Sequence, residues 1–174
     1  LVAQAVEHRD GLAPRVIIAE CRAPAGRLVP MVRDAIGWMR SLAAVPLVVA
    51  SASASASSDG GTALLRARDD ARVVGSLIAA ATRPEGEFLR VQALGETTSE
   101  LELDDPAGRS ELATTTRRGR LVAPGRYEAG ERVALRRAIG AVAGAEPSDL
   151  TDLVHDEEAV AAIDGFRSLP AIFS

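Results

Sequence analysis

The chain has 174 residues, enough for one domain with a sizeable core, and 47% of them are hydrophobic. Its net charge of -4 is spread over interspersed acidic and basic residues, which argues against nucleic acid and against an anionic membrane as partners. All 20 basic side chains are arginines and no lysine occurs, so a P-loop lysine, a Schiff-base lysine and a lysine general acid are excluded.

A single Cys21 forms no internal disulfide, and His8 and His155 are too few to complete a zinc site with it, so a cytoplasmic location is expected. No apolar run reaches the roughly 20 residues that span a bilayer, because Leu42 to Ala56 is broken by Pro46 and then by alternating serines. Leu1 to Glu7 carries neither a basic n-region nor a small-residue cleavage site, so no signal peptide is expected; the lack of an initial Met suggests a start further upstream.

Leu1 to His8 reads as the last turns of a helix, ended by Asp10-Gly11. Arg15 to Cys21, β-branched and bounded by Pro14 and Pro24, predicts a buried strand. From Ala25 to Ala44, Leu28, Met31, Val32, Ala35, Ile36, Met39 and Leu42 recur at helical spacing, with Arg27, Arg33, Asp34 and Arg40 mostly opposite and a kink expected at Pro30. Leu47 to Ser57 alternates Ser with Ala, a pattern shared by a strand with two small faces and by a flexible linker; the lead-in Leu47-Val48-Val49 favours the strand.

Strands follow at Thr62 to Arg68, Arg72 to Thr82, Glu87 to Leu94, Ser99 to Asp104 and Ser110 to Arg117, with a return at Arg120 to Ala123. The turn signals between them predict an antiparallel meander. After Pro124-Gly125 the period changes to 3.6. Glu131 to Ala143 predicts a helix, Pro147-Ser148-Asp149 caps a turn carrying Leu150, Leu153 and Val154, and a last helix runs from Glu157 to about Phe166. The fold class is α/β in the α+β sense, a mainly antiparallel meander sheet backed by helices.

No G-x-G-x-x-G occurs, and Gly60-Gly61 reads as a hairpin turn rather than a pyrophosphate cradle. Ser51, Ser53, Ser55 and Ser57 lack the strand-turn-helix setting of a nucleophile elbow. His155 lies among Asp152, Asp156, Glu157 and Glu158 and reads as solvated helix surface, and Asp69-Asp70 as a hairpin corner. Arg117, Arg118 and Arg120 suggest an acidic partner or a salt-bridged sheet edge. Arg22, after a buried strand, and Arg33 and Asp34, on one helix, are candidates to face a crevice, weighed against ordinary surface ion pairing.

Val73-Val74-Gly75-Ser76-Leu77, Leu89 to Glu96 and Ser99 to Asp104 together resemble the C-terminal domain of the Gfo/Idh/MocA oxidoreductases. Tyr127, the helix Arg132 to Ala143, Ser148 to Asp152 and Ala159 to Ile163 resemble that family's closing helices, so the resemblance covers about residues 70 to 166. Upstream, Leu1 to Pro24 resembles the end of the family's Rossmann domain, with Arg22 at a recurring arginine. The division implied is 1–24 as a remnant of a preceding α/β domain and 25–174 as a sheet-plus-helices domain.

The family's catalytic lysine would precede Leu1. Its His-x-x-Asp helix falls either on Arg33 to Trp38, where Arg33 or Asp34 replaces the His, or near Gly60 to Leu65, where Asp70 does. An arginine fixed in its charged form cannot relay a hydroxyl proton as an imidazole can.

The resemblance implies a non-catalytic subunit or fragment of an NAD(P)-dependent sugar or cyclitol dehydrogenase, a pseudoenzyme with no catalytic residues of its own. It binds no cofactor alone, NAD(P) coming only from a Rossmann partner or a missing N-terminal domain. The substrate-facing candidates are Arg22, Arg33 and Asp34. The partner expected at the sheet face is a second copy or a complete dehydrogenase. The alternatives are an enzyme in its own right, built on Arg22, Arg33, Asp34 and a helix N-terminus, and a stand-alone sugar-like ligand-binding or scaffold domain using Ser51, Ser53 and Thr62.

Overall fold

The computed structural model describes residues 13–54, 59–68, 73–82, 86–123, 139 and 148–163. β1 (Val16–Ala23) turns Ile17, Ala19, Cys21 and Ala23 into the core and alternate residues outward. Helix α1 (Ala25–Ala43) follows at once. All seven apolar positions marked by its spacing are buried, because a 3.6-residue period returns them to one stripe against β1, β4 and β5. Pro30 lies within the helix, and Ala44 closes it in the left-handed region at φ 58°, the conformation that ends many helices.

The remaining strands are β2 (Leu47–Ala54), β3 (Gly60–Ala67), β4 (Val74–Ala81), β5 (Phe88–Leu94), β6 (Thr98–Asp104), β7 (Arg109–Thr116) and β8 (Gly119–Ala123). They join β1 in one eight-stranded sheet of order β2-β3-β4-β1-β5-β6-β7-β8. The meander is therefore interrupted. β1 enters between β4 and β5, parallel to the first and antiparallel to the second. A run of consecutive Val and Ile has most to lose at a solvated edge, and the sheet centre pairs both its sides. The segment read as the end of a preceding domain thus supplies the middle strand.

The Ser-Ala repeat is a strand and forms an edge, paired with β3 through a register shift between Val49 and Ser51. Gly60-Gly61 is not a turn but opens β3, opposite Ala80 and Ala79. A Cβ on Gly60 would run into the Ala79 carbonyl oxygen, so close backbone approach, not turn geometry, accounts for that glycine.

The C-terminal segment departs from expectation as well. Ser148–Ala161 is one continuous helix, α2, where a capped turn and a separate helix are predicted. Ala159, Val160 and Ile163 are buried, whereas Leu153 and Val154 are exposed. The predicted helix over 131–143 lies outside the described residues except for Ile139, as do Asp69-Asp70, Tyr127, His8 and Phe166.

The core lies between α1 and one face of the sheet, centred on Ile17, Ile36, Met39, Leu77, Leu89 and Val91. α2 packs on α1 and reaches β2. Among the described residues no helix is long and apolar enough to cross a membrane.

Candidate functional site

Because side chains alternate across a strand, the residues pointing away from α1 form a second face. Its cross-strand partners run in transverse rows. Thr62, Ile78, Glu20, Arg90 and Glu102 make one row across β3, β4, β1, β5 and β6. Leu64, Ser76, Ile18, Gln92 and Glu100 make the next. Ser53 opposite Thr62, and Ser51 opposite Leu64, extend the rows to the β2 edge.

The chemistry of this face changes along the strand order. On β3, β4 and β1, Leu64, Ile78, Val74 and Val16 stand side by side at 51%, 47%, 46% and 40% exposure. On β5 to β8 an ion ladder takes over. Arg90 Nε donates to Glu100 Oε1 at 2.6 Å, Arg109 to Glu102 at 2.7 Å and Arg120 to Glu111 at 2.7 Å. These groups surround a shallow cavity of about 220 Å³, and Gln92 donates to Glu100 at 3.1 Å from its side. The Arg120 pairing makes β8 the salt-bridged edge that its arginines suggest.

The three candidate residues do not converge. Arg22 lies on the open face, ion-paired to Glu20 at 3.4 Å with its guanidinium 4.3 Å from the Phe88 ring centroid. Arg33 and Asp34 are across the sheet on α1. Arg33 pairs with Glu157 of α2 at 2.7 Å. Asp34 lines a separate cavity of about 120 Å³ with Met31, Trp38, Glu87, Leu89, Leu103 and Asp105. Burial pushes the Asp34 carboxyl above the usual carboxylate value, while Arg33 and Arg27 act the other way. An enzyme site built jointly from Arg22, Arg33 and Asp34 is therefore not assembled.

Neither placement of the His-x-x-Asp helix brings a proton relay together. Arg33 to Trp38 is helical, but its arginine is held by Glu157. Gly60 to Leu65 is strand β3, so that register is overturned. The acidic cluster around His155 has a different use. Asp152 and Asp156 grip Arg40 at 2.8 and 2.9 Å, Glu157 takes Arg33, and Glu158 lies 3.5 Å from Arg68, whose other nitrogen is 3.3 Å from His155 Nε2. Sequence reasoning missed Arg40 as the anchor of α2. The signal was an arginine at the edge of an apolar stripe, one turn from Ile36 and beside Met39.

A nicotinamide dinucleotide does not fit the described residues. Its pyrophosphate needs a glycine turn opening a helix, and the Gly60-Gly61 pair is instead pressed against β4 within the sheet.

The fold, a mixed eight-stranded sheet with helices on one face, is shared with solved oxidoreductases of the Gfo/Idh/MocA type. The chain is similar to UDP-N-acetylglucosamine 3-dehydrogenase GnnA from Acidithiobacillus ferrooxidans at 16% identity and a TM-score of 0.63, over 94% of this chain and 58% of that one. It is similar to a putative oxidoreductase from Thermotoga maritima at 15% identity and a TM-score of 0.64, over 96% and 57%. KijD10, a 3-ketoreductase from Actinomadura kijaniata in complex with TDP-benzene and NADP, gives 16% and 0.62, over 97% and 59%. The chain thus spans less than two thirds of the length of these structures. No family model matches it, and no curated protein does.

Proposed function

We propose that this chain is a non-catalytic subunit or fragment of a Gfo/Idh/MocA-like NAD(P)-dependent oxidoreductase, contributing substrate-side and association surfaces while the cofactor half lies elsewhere. The observation that carries the reading is the open sheet face, half apolar and half ion-paired, on a fold whose solved relatives are oxidoreductases. Exposed Leu, Ile and Val grouped on one strand surface mark a place where another molecule sits. NAD(P) enters only through a Rossmann partner or a preceding domain, and the hydroxyl oxidised is that of a sugar or cyclitol.

A second reading, a stand-alone domain for a sugar-like ligand, draws on one observation: Ser53 pairs across the strands with Thr62, and Ser51 stands beside them with Leu64 opposite. Gentle purification of the native full-length protein, followed by intact mass and nucleotide titration, separates the two. A second copy, a stoichiometric dehydrogenase or a longer chain carrying the cofactor half supports the oxidoreductase reading. A monomer that binds a free sugar and no partner contradicts it and favours the second.

A further inference from the structure

We infer that the open sheet face pairs with a second copy of this chain about a two-fold axis that runs across the strands, laying the apolar half on the apolar half and the ion ladder on the ion ladder. This rests on the reading of that face as an association surface. It adds the occupant and the symmetry operator.

The argument starts from how polarity is distributed. It changes from strand to strand and hardly at all along a strand: β3 and β4 present Leu64, Ile78 and Val74, and β6 and β7 present Glu100, Glu102 and Glu111. A symmetric dimer must be self-complementary under its own rotation. Rotation about an axis parallel to the strands at mid-sheet would set β4 on β6 and β3 on β7. The apolar side chains would then cover carboxylates and arginines, stripping water from charges with nothing gained.

Rotation about an axis crossing the strands keeps each strand over its own copy. Like meets like, and the strands of the two sheets run roughly antiparallel, close to the aligned packing that twisted sheets adopt. The same rotation exchanges the two transverse rows. Ile78 then lies over Ser76 of the other copy, and Leu64 over Thr62, so a large side chain meets a smaller one at each place, the alternation that lets two faces interdigitate.

Area separates this from a third arrangement. Eight strands at about 4.8 Å spacing, each about seven residues of about 3.3 Å, offer a face of about 900 Å², near the roughly 800 Å² per partner of a stable interface. An axis along β4 that stacks only β3, β4 and β1 would bury less than half of that.

Single-cysteine variants read the operator directly. Native Cys21 is fully buried and burial pushes its thiol up to about 12, so it does not compete for oxidation in the folded protein. The full-length protein is prepared as Thr62→Cys, Leu64→Cys and Ile18→Cys, all open-face positions, and its oligomeric state is measured by sedimentation. A dimer in which the mixture of Leu64→Cys with Thr62→Cys forms the cross-linked species, while Leu64→Cys alone does not, supports the proposal. A dimer in which Leu64→Cys couples to Ile18→Cys places the axis along β4 and overturns the arrangement, leaving the association surface intact. No association, or a dimer that cross-links through none of these positions, overturns the association surface itself.

Discussion

Asp34 shows how a single side chain carries a pH signature. Its carboxyl is held above the usual value by burial between Met31, Trp38 and Leu103, against the pull of Arg33 and Arg27. The folded chain therefore holds that proton more tightly than the unfolded one. Stability falls as pH rises through the interval between the unfolded and the folded value, and the penalty persists at neutral pH. Asp34→Asn should raise the melting temperature at pH 7 and leave it unchanged below the usual carboxylate range. A lower melting temperature at pH 7 would show that the arginines outweigh burial. The sequence placed Asp34 on a helix beside a crevice, but not the wall opposite, because Glu87, Leu103 and Asp105 come from strand ends more than fifty residues away.

At the scale of elements, α2 is held to α1 by one bidentate anchor. Arg40 reaches both oxygens of Asp156 at 2.9 and 3.1 Å, and Asp156 is 6% exposed. Burial alone would lower the Arg40 pKa, yet the hydrogen bond and charge of Asp156, with Asp152, raise it on balance. Asp156→Ala should cost about 2 kcal/mol in chemical denaturation, the penalty of leaving a half-buried guanidinium short of partners. Arg33→Ala, which breaks an exposed pair, should cost under about 1 kcal/mol. Equal losses would show that α2 is held by its apolar contacts instead.

Elements that advertise themselves by period were legible. The helix at 25–43, the Ser-Ala strand and five of the later strands agree with the spacing to within a few residues. What spacing does not encode is order. A period of two says that β1 and β4 are strands; that they are parallel neighbours follows only once α1 has been packed on one face and β1 needs a partner on each side. The glycine pair was misread for a related reason. A glycine required by a neighbouring strand looks, in one dimension, like a glycine required by a turn.

For the whole molecule, one covered face and one open face suggest a part that assembles. The composition excluded lysine chemistry, and the structure keeps Arg22 on one side of the sheet with Arg33 and Asp34 on the other, so chemistry drawn from this trio has no place to occur. The open face was not legible, since Leu64, Ile78, Val74 and Val16 lie on three strands and become a patch only when those strands pair. An isolated exposed valine signifies nothing; four large aliphatics in contact do. The measurement that bears most directly on this is sedimentation equilibrium of the full-length protein against its Ile78→Arg variant, with circular dichroism to confirm that the variant folds. The expected result is an assembly for the parent and, for the folded variant, its loss or a marked weakening, because an arginine at the centre of the apolar half would be buried without a partner. A parent that stays monomeric, or a folded variant that associates as tightly as the parent, would contradict the account.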